Sequence, residues 1–309
     1  MAEGNKDAAR SAWRNPGAAP ILMLFVLGLS FALVIVFNRI ATTNGVPFIP
    51  YVFWQSLGGC IIVLTLALSM SGLPPLGWRH VRVYFVTGTL NLTIPYLIFA
   101  FVAPKVPPGI LSLGLSLVPI SIYALALIVR LDSFRLIRFI GILLGLAGVV
   151  LVLLPETSLP SRDMVGWVAL GLAAPLCYAL NAVCVTLLRP PEGDSVQFAN
   201  GLMFVASISM LGVMAITGEW WAFGGSFGDG HWATLAAMAN NALSFYLIFE
   251  LIKRAGPVFF SMVNYVATLI GMGLGIWIFS DAHSYWIWAA LVLIGASLVL
   301  VNFLSFRNR

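Results

Sequence analysis

The chain has 309 residues, of which 61% are hydrophobic and only 9% are charged, and its mean hydropathy is +1.00. A soluble domain carries about 25% charged residues, so this composition excludes a water-soluble globular protein and predicts an all-α polytopic membrane protein. We interpret the formal net charge of +5 as a topology signal, and we predict no nucleic-acid partner.

A polar segment, residues 1–19, is interpreted as a cytoplasmic tail, and ten apolar stretches follow it. Each stretch is close to the ~20 residues that cross a bilayer. The predicted spans are 21–39, 50–70, 82–103, 107–129, 136–154, 165–188, 196–217, 232–252, 257–279 and 285–305. Turn-forming pairs mark several of the breaks, including Asn44-Gly45, Pro107-Pro108 and Gly256-Pro257. Residues 306–309 form a short C-terminal tail.

The positive charges are distributed unevenly between the two sides of this ten-span arrangement. Of the 16 Lys and Arg residues, all but Arg39, Lys105 and Arg162 fall in the tails and the even-numbered connections. Because Lys and Arg accumulate in cytoplasmic loops, both termini are predicted to face the cytoplasm. The expected location is a plasma membrane, specifically the bacterial inner membrane.

The sequence also contains an internal repeat. The tetrapeptide at 96–99, Tyr-Leu-Ile-Phe, returns 150 residues later at 246–249, and at the same offset Asn91 matches Asn241. This predicts two five-span repeats, 20–155 and 156–305. Because five is odd, the second repeat must enter the membrane from the opposite side. Inverted repeats of this kind are typical of secondary transporters, whose substrate site lies near the midplane between the repeats.

Ten spans, the 5+5 repeat and a Tyr-x-x-Phe stretch that leads through a Gly/Pro-containing turn into the next span resemble the EamA-type transporters of the drug/metabolite transporter superfamily. The resemblance covers about residue 20 to residue 305. It implies alternating access and a basket of helices around a central cavity, lined largely by the first, third and fourth helices of each repeat. It also implies cargo such as amino acids, other small metabolites, vitamins or drugs. The Pro107-Pro108 turn departs from the family's usual Ser/Ala-rich pattern, so gating at that end is expected to differ.

Polar side chains inside spans are costly in lipid, so they usually face protein or a water-filled cavity. We predict a neutral, aromatic-lined cavity whose amides and hydroxyls hold the polar head of a substrate. The alternative for any single residue is an interhelical hydrogen bond, worth ~0.6 kcal/mol. The candidate substrate-binding residues are Asn91, Ser112, Ser116, Tyr178, Asn181, Asn241, Ser261, Asn264, Tyr265 and Thr268.

The two repeated motifs are assigned different roles. Asn91 and Tyr96 are five residues apart, which places their side chains about 140° apart on an α-helix, so both should not face one cavity. Asn91 and Asn241 are therefore predicted to line the cavity. Tyr96 and Tyr246 are predicted to pack between helices, with a tyrosine at the cavity wall as the alternative.

Charged residues are few within the spans. Arg39 ends the first span, and it is predicted either to reach the interface with its guanidinium or to mark the outer mouth and attract anionic groups. Glu250 precedes Arg254 by four residues, a spacing that favours a surface ion pair. No carboxylate stands alone at mid-membrane, so no proton relay is predicted.

No metal-ligand cluster and no nucleophile–base arrangement is present in the sequence, so we predict no metal, no cofactor and no enzymatic activity. His80, His231 and His283 are assigned to solvated loops.

The predicted function is export of amino acids or related compounds by alternating access. Two alternatives are kept: import or exchange of a vitamin-like or nucleotide-linked metabolite, and a membrane scaffold or channel subunit without alternating access. The predicted partners are a small-molecule substrate and the lipid bilayer, with the protein acting as a monomer or homodimer.

Overall fold

The structure is a computed structural model that describes residues 18–70, 72–131, 133–153, 159, 161–188, 194–224 and 226–302. Within these residues the chain is helical throughout and contains no strand. The helical stretches are α1 (Ala18–Thr43), α2 (Phe48–Met70), α3 (Trp78–Val102), α4 (Pro108–Ile128), α5 (Leu136–Leu153), α6 (Met164–Leu188), α7 (Ser195–Thr217), α8 (Asp229–Ser261), α9 (Val263–Phe279) and α10 (Tyr285–Asn302).

The lengths and composition of these helices are those of a multi-pass membrane protein. In the described part of the chain, seven helices are long and apolar enough to cross a bilayer, namely α1 to α4 and α6 to α8. The other three, α5, α9 and α10, are shorter apolar helices.

Two proline-containing pairs have opposite outcomes. Pro108 is the first residue of α4, where its missing N–H leaves no helical hydrogen bond unmade, so the predicted break is confirmed. The predicted break at Gly256-Pro257 is wrong, because α8 continues to Ser261 and the next helix begins at Val263. Glycine and proline are tolerated inside membrane helices when neighbouring groups satisfy the freed carbonyls, so this pair does not end the helix.

Helix α3 contains a π-helical turn over Gly88–Thr93, at whose end the Ile94 N–H donates to the Thr89 carbonyl, five residues earlier. Pro95 supplies a physical reason. It has no N–H to donate, and in a regular α-helix its ring would collide with the carbonyl of Asn91, four residues earlier. The wider turn accommodates the proline. It also changes the direction around the helix axis in which the side chains after the turn point.

Helix pairing links the two halves of the chain. Helix α1 packs against α8 and α9, and α6 packs against α3 and α4. Likewise α2 packs against α8, and α7 packs against α3, while α2–α7, α4–α9 and α5–α10 form pairs across the halves. Exchanging α1–α5 with α6–α10 therefore maps this set of contacts onto itself.

Candidate functional site

A cavity of about 400 Å³ lies between α1, α3, α4, α6, α7, α8 and α9. Among the side chains that the structure describes, none in its lining carries a formal charge. The lining residues with polar side-chain atoms are Thr87, Asn91, Tyr96, Tyr178, Asn181, Ser244 and Asn264. The other aromatic lining residues are Phe31, Phe99, Phe198, Phe245 and Phe260. The cavity is thus an apolar chamber with a few neutral polar groups.

Four of the residues predicted from the sequence lie in this lining: Asn91, Tyr178, Asn181 and Asn264. The Asn181 Oδ1 atom is buried and has no hydrogen-bond partner among the described residues. Within the same part of the chain, the Asn91 side chain makes no hydrogen bond and is only half-buried. Both amides therefore keep hydrogen-bonding capacity for a ligand.

Tyr96 occupies the alternative position given for it, at the cavity wall, whereas Asn241 does not line the cavity as predicted. Tyr96 lines the cavity, and its hydroxyl donates to Asn241 Oδ1 at 3.1 Å. Asn241 is fully buried behind it, and its Nδ2 donates to the backbone carbonyl of Gln55 at 3.3 Å. Asn241 therefore supports the wall of the cavity and is absent from its lining.

The π-turn explains why Asn91 and Tyr96 face the same cavity. In a π-helix the hydrogen bonds join residues five apart, so a five-residue spacing across the turn returns close to the same face. The lining positions on α3 follow this phase change, because they advance by four, four, five and three residues: Val83, Thr87, Asn91, Tyr96 and Phe99.

Helix α8 has no such turn, and its residues behave as an α-helix predicts. Phe245 stands 150 residues after Pro95, so α8 lacks the proline at the corresponding position. Tyr246 is half-buried against apolar residues, in agreement with the packing role predicted for it. The cavity side of α8 instead carries Ser244 and Phe245, which the sequence analysis missed because neither residue belongs to a repeated polar motif.

Ser112, Ser116 and Thr268 lie in the contact between α4 and α9, outside the cavity lining. The Thr268 hydroxyl is 2.5 Å from the Ser116 hydroxyl and 3.0 Å from the Ser112 carbonyl oxygen. Gly271 permits this close approach, since a Cβ at that position would lie 2.0 Å from Ser112 Oγ. For these three residues the structure favours the interhelical alternative.

Two candidates remain on this part of the chain, and Tyr265 is not in the lining. Tyr265 is partly buried against the apolar cluster that includes Ile35 and Phe99. The Ser261 side chain is outside the part of the chain that the structure describes, so its predicted role stays a prediction.

Arg39 is paired, so it is not the free cation predicted as one alternative for it. Its Nη1 lies 3.2 Å from Asp281 Oδ1, and its guanidinium carbon lies 4.3 Å from the centroid of the Phe279 ring. This pair joins the C-terminal end of α1 to the segment after α9. The cavity lining includes the middle of α1, α3 from Val83 to Phe99, the N-terminal part of α7 and the C-terminal parts of α6 and α8. Arg39 and Asp281 are not part of this lining.

His283 lies two residues after Asp281 in the same segment, and the prediction that it is solvated is wrong. Both of its ring nitrogens are buried and have no partner among the described residues. A Cβ on Gly109 would lie 2.6 Å from His283 Nε2, so the ring packs directly on the start of α4. Burial lowers the pKa of His283 below its usual value of 6.5, and the nearby Asp281 charge opposes part of that change.

The other predicted polar features have mixed outcomes. His80 and His231 lie in the first turns of α3 and α8, so their assignment to loops is wrong. The Glu250–Arg254 ion pair is confirmed, with Arg254 Nε 2.5 Å from Glu250 Oε1. Among the described residues, no group of three or more His, Cys, Asp or Glu side chains could hold a metal ion.

Comparisons with known proteins give a consistent result. Residues 18–154 match the EamA-like transporter family. Protein PecM of Dickeya dadantii (strain 3937) is 24% identical over 240 residues, which cover 77% of this chain and 78% of that protein. A crystal structure of a protein aligns with a TM-score of 0.61 at 16% identity, covering 94% of this chain and 99% of that one. The structural likeness is one of fold.

Proposed function

We propose that this chain, an EamA-type transporter of the drug/metabolite transporter superfamily by the family match over residues 18–154, exports a small organic metabolite by alternating access. The observation that carries the proposal is the cavity of about 400 Å³, which lies between helices from both halves of the chain. A chamber of this kind inside the helix bundle is what a carrier requires. A scaffold has no need of such a chamber.

We further propose that the chain forms two inverted five-helix repeats, 20–155 and 156–305, with ten membrane crossings. The helix contacts that map onto themselves when the halves are exchanged support this arrangement. Helices α5, α9 and α10 contain 18, 17 and 18 residues. At 1.5 Å per residue, each is a few ångströms short of the roughly 30 Å hydrocarbon core.

The proposed location is the bacterial inner membrane, with both termini in the cytoplasm, as the distribution of Lys and Arg indicates. In this orientation the lining residues on the N-terminal part of α7 and the C-terminal part of α8 lie in the cytoplasmic half of the membrane, on the side from which an exporter takes up its substrate. The proposed partners are the substrate and the bilayer, with the protein a monomer or homodimer.

The proposed cargo is amino acids or related compounds. Import or exchange of a vitamin-like or nucleotide-linked metabolite is the second candidate, but a phosphate group needs Lys or Arg partners, and none is among the described residues that line the cavity. That part of the lining contains no carboxylate either, so we expect exchange that does not require a proton gradient.

Counterflow in proteoliposomes tests the proposal. Vesicles containing the purified chain and preloaded with unlabelled candidate compounds are mixed with labelled compound at equal pH and without a membrane potential. Saturable, transiently concentrative uptake is expected of a carrier, whereas linear flux would indicate a channel and no flux a scaffold.

Two tryptophan substitutions on α6 provide a matched pair. Asn181→Trp fills the cavity and should abolish counterflow. Leu180→Trp places the same side chain at a neighbouring position that is 41% exposed on the outside of the bundle, and it should leave counterflow unchanged. Equal effects of the two substitutions would contradict the assignment of the cavity as the transport site.

A further inference from the structure

The chemistry of the cavity restricts the charge of the molecule that it can hold. Every polar group that the structure describes in the lining is a neutral hydroxyl or amide, and the rest of the described wall is apolar or aromatic. Burying a charged group without a partner of opposite charge is expensive, and within a membrane bundle such groups are normally paired. The described lining offers no such partner to a carboxylate or an ammonium group.

The unused hydrogen-bonding groups favour a ligand that both donates and accepts. Asn181 Oδ1 can only accept, and it is buried without a partner in the described part of the chain. Ser244 Oγ is likewise buried and without a partner there, with the residue only 1% exposed. The half-buried Asn91 amide supplies two further donors and an acceptor. A neutral amide, lactam or hydroxyl group would satisfy these atoms.

The apolar part of the lining favours a flat ring system. Phe99 and Tyr178 face each other across 6.5 Å between centroids with their planes inclined at 43°, and the Phe31 and Phe245 side chains complete an aromatic wall. Rings pack against one another in offset or tilted arrangements that stabilise beyond the area buried. A volume of about 400 Å³ is in the lower part of the ~300–1,000 Å³ range of small-molecule sites, so one or two rings fill it.

We propose that the site selects uncharged, ring-containing amphipathic metabolites and discriminates against free zwitterionic amino acids. This inference rests on the proposed transport function and narrows its cargo to the neutral derivatives within the amino-acid-related class. The amides and the serine hydroxyl bind the polar head, and the aromatic wall binds the ring.

Four compounds with the same indole ring and different charges test the proposal. These are N-acetyl-tryptophanamide (neutral), tryptophan (zwitterion), tryptophanamide (cation) and N-acetyl-tryptophan (anion). Each is titrated against the full purified chain in detergent while the melting temperature is followed, because a ligand that binds the folded state raises it by mass action. Each is also tested as an inhibitor of counterflow.

The neutral compound should reach half-saturation at a concentration about tenfold or more below that of each charged compound, as expected when a site leaves a buried group unpaired. Equal or tighter binding of any charged compound would overturn the proposal. An absence of stabilisation by all four would overturn it as well. Neither result would affect the counterflow test of transport, and failed counterflow together with binding of the neutral compound would reject transport while keeping the ligand class.

A charge placed in the cavity provides a second, independent test. Asn181→Asp should give the cation tryptophanamide an advantage of about tenfold or more over the neutral compound, because the carboxylate supplies the missing partner. Thr186→Asp puts the same charge on the exposed side of α6 and should leave the order of affinities unchanged. If Asn181→Asp fails to fold, Asn91→Asp makes the same prediction. An unchanged order in the folded cavity variant would contradict the inference.

Discussion

At the scale of single residues, equivalent positions in the two halves have acquired different roles. Asn91 and Asn241 are separated by the repeat offset, yet only Asn91 lines the cavity. Asn241 is fully buried and holds Tyr96 and the Gln55 carbonyl. Two residues at corresponding positions of the sequence therefore need not contact the same groups.

This difference predicts separable effects for two alanine variants. Asn91→Ala should weaken counterflow about tenfold with a nearly unchanged melting temperature, because its side chain makes no hydrogen bond within the described residues. Asn241→Ala should instead lower stability by about 0.6–1.7 kcal/mol, because the buried Tyr96 hydroxyl loses its acceptor. Thermal melts and counterflow are measured on the same preparations, with Tyr246→Phe as a control. Normal transport together with a lowered melting temperature in Asn91→Ala would contradict the assignment.

His283 predicts a pH dependence of stability. Its pKa in the folded protein is below the usual 6.5, so on acidification the unfolded chain binds the proton first. The free energy of unfolding should therefore decrease as the pH falls below 6.5. Above that pH the contribution of neutral His283 should be fully present. The melting temperature is measured from pH 8 to pH 5 for the native chain and for His283→Gln. The same slope in both proteins would show that another group is responsible.

At the scale of secondary-structure elements, α3 determines how the cavity wall is built. Pro95 and the π-turn over Gly88–Thr93 place Asn91 and Tyr96 on one face. Helix α8 lacks the proline and remains regular. This residue difference between the two halves of the chain therefore accounts for which side chains α3 and α8 present to the cavity.

Replacing the proline tests this explanation. Pro95→Ala restores a backbone donor and permits a regular α-helix, which would turn Asn91 away from Tyr96. We expect the half-saturating concentration in counterflow to rise about tenfold without loss of thermal stability. Pro119 lies at the start of the second segment of α4, where the missing N–H leaves no bond unmade. Pro119→Ala should therefore leave transport unchanged, and a similar loss in both variants would argue against a specific role for the π-turn.

At the scale of the whole molecule, the Arg39–Asp281 pair joins residues 242 positions apart. The Asp281 side chain is only 7% exposed, and that of Arg39 is 25% exposed. The pair therefore holds the end of α1 against the α9–α10 connection.

Removing the arginine should be more damaging than removing both partners. Arg39→Ala leaves a nearly buried carboxylate unpaired, and we expect a loss of about 1–3 kcal/mol, below the 3–5 kcal/mol of fully buried pairs because Arg39 is partly exposed. The double variant Arg39→Ala/Asp281→Ala should recover part of this loss. Denaturation of the native chain, both single variants and the double variant forms a cycle that measures the coupling. Strictly additive effects would mean that the ion pair contributes nothing to the free energy of unfolding.

The topology is also a property of the whole molecule. The bias of Lys and Arg predicts that a reporter fused after Arg309 is cytoplasmic and that a reporter in the loop between α1 and α2, residues 44–47, is external. Activity of compartment-specific reporters in intact cells measures both positions. Two reporters on the same side would contradict the ten-crossing arrangement.

The sequence by itself determined the class of the protein and the approximate positions of its helices, because hydropathy and turn residues act locally. The predicted span 136–154, for example, agrees with α5 at Leu136–Leu153. Composition also predicted the neutral, aromatic character of the cavity, since few charged residues fall within the spans.

Only the tertiary structure decided which polar residues line the cavity and which contact another helix. Thr268 contacts Ser116 across 152 positions, and Asp281 neutralises Arg39 across 242. Helical spacing orders the side chains of one helix, but it carries no information about which helix lies opposite. The directions of the α3 side chains could not be predicted either, because the presence of Pro95 does not determine whether the helix kinks, ends or forms a wider turn.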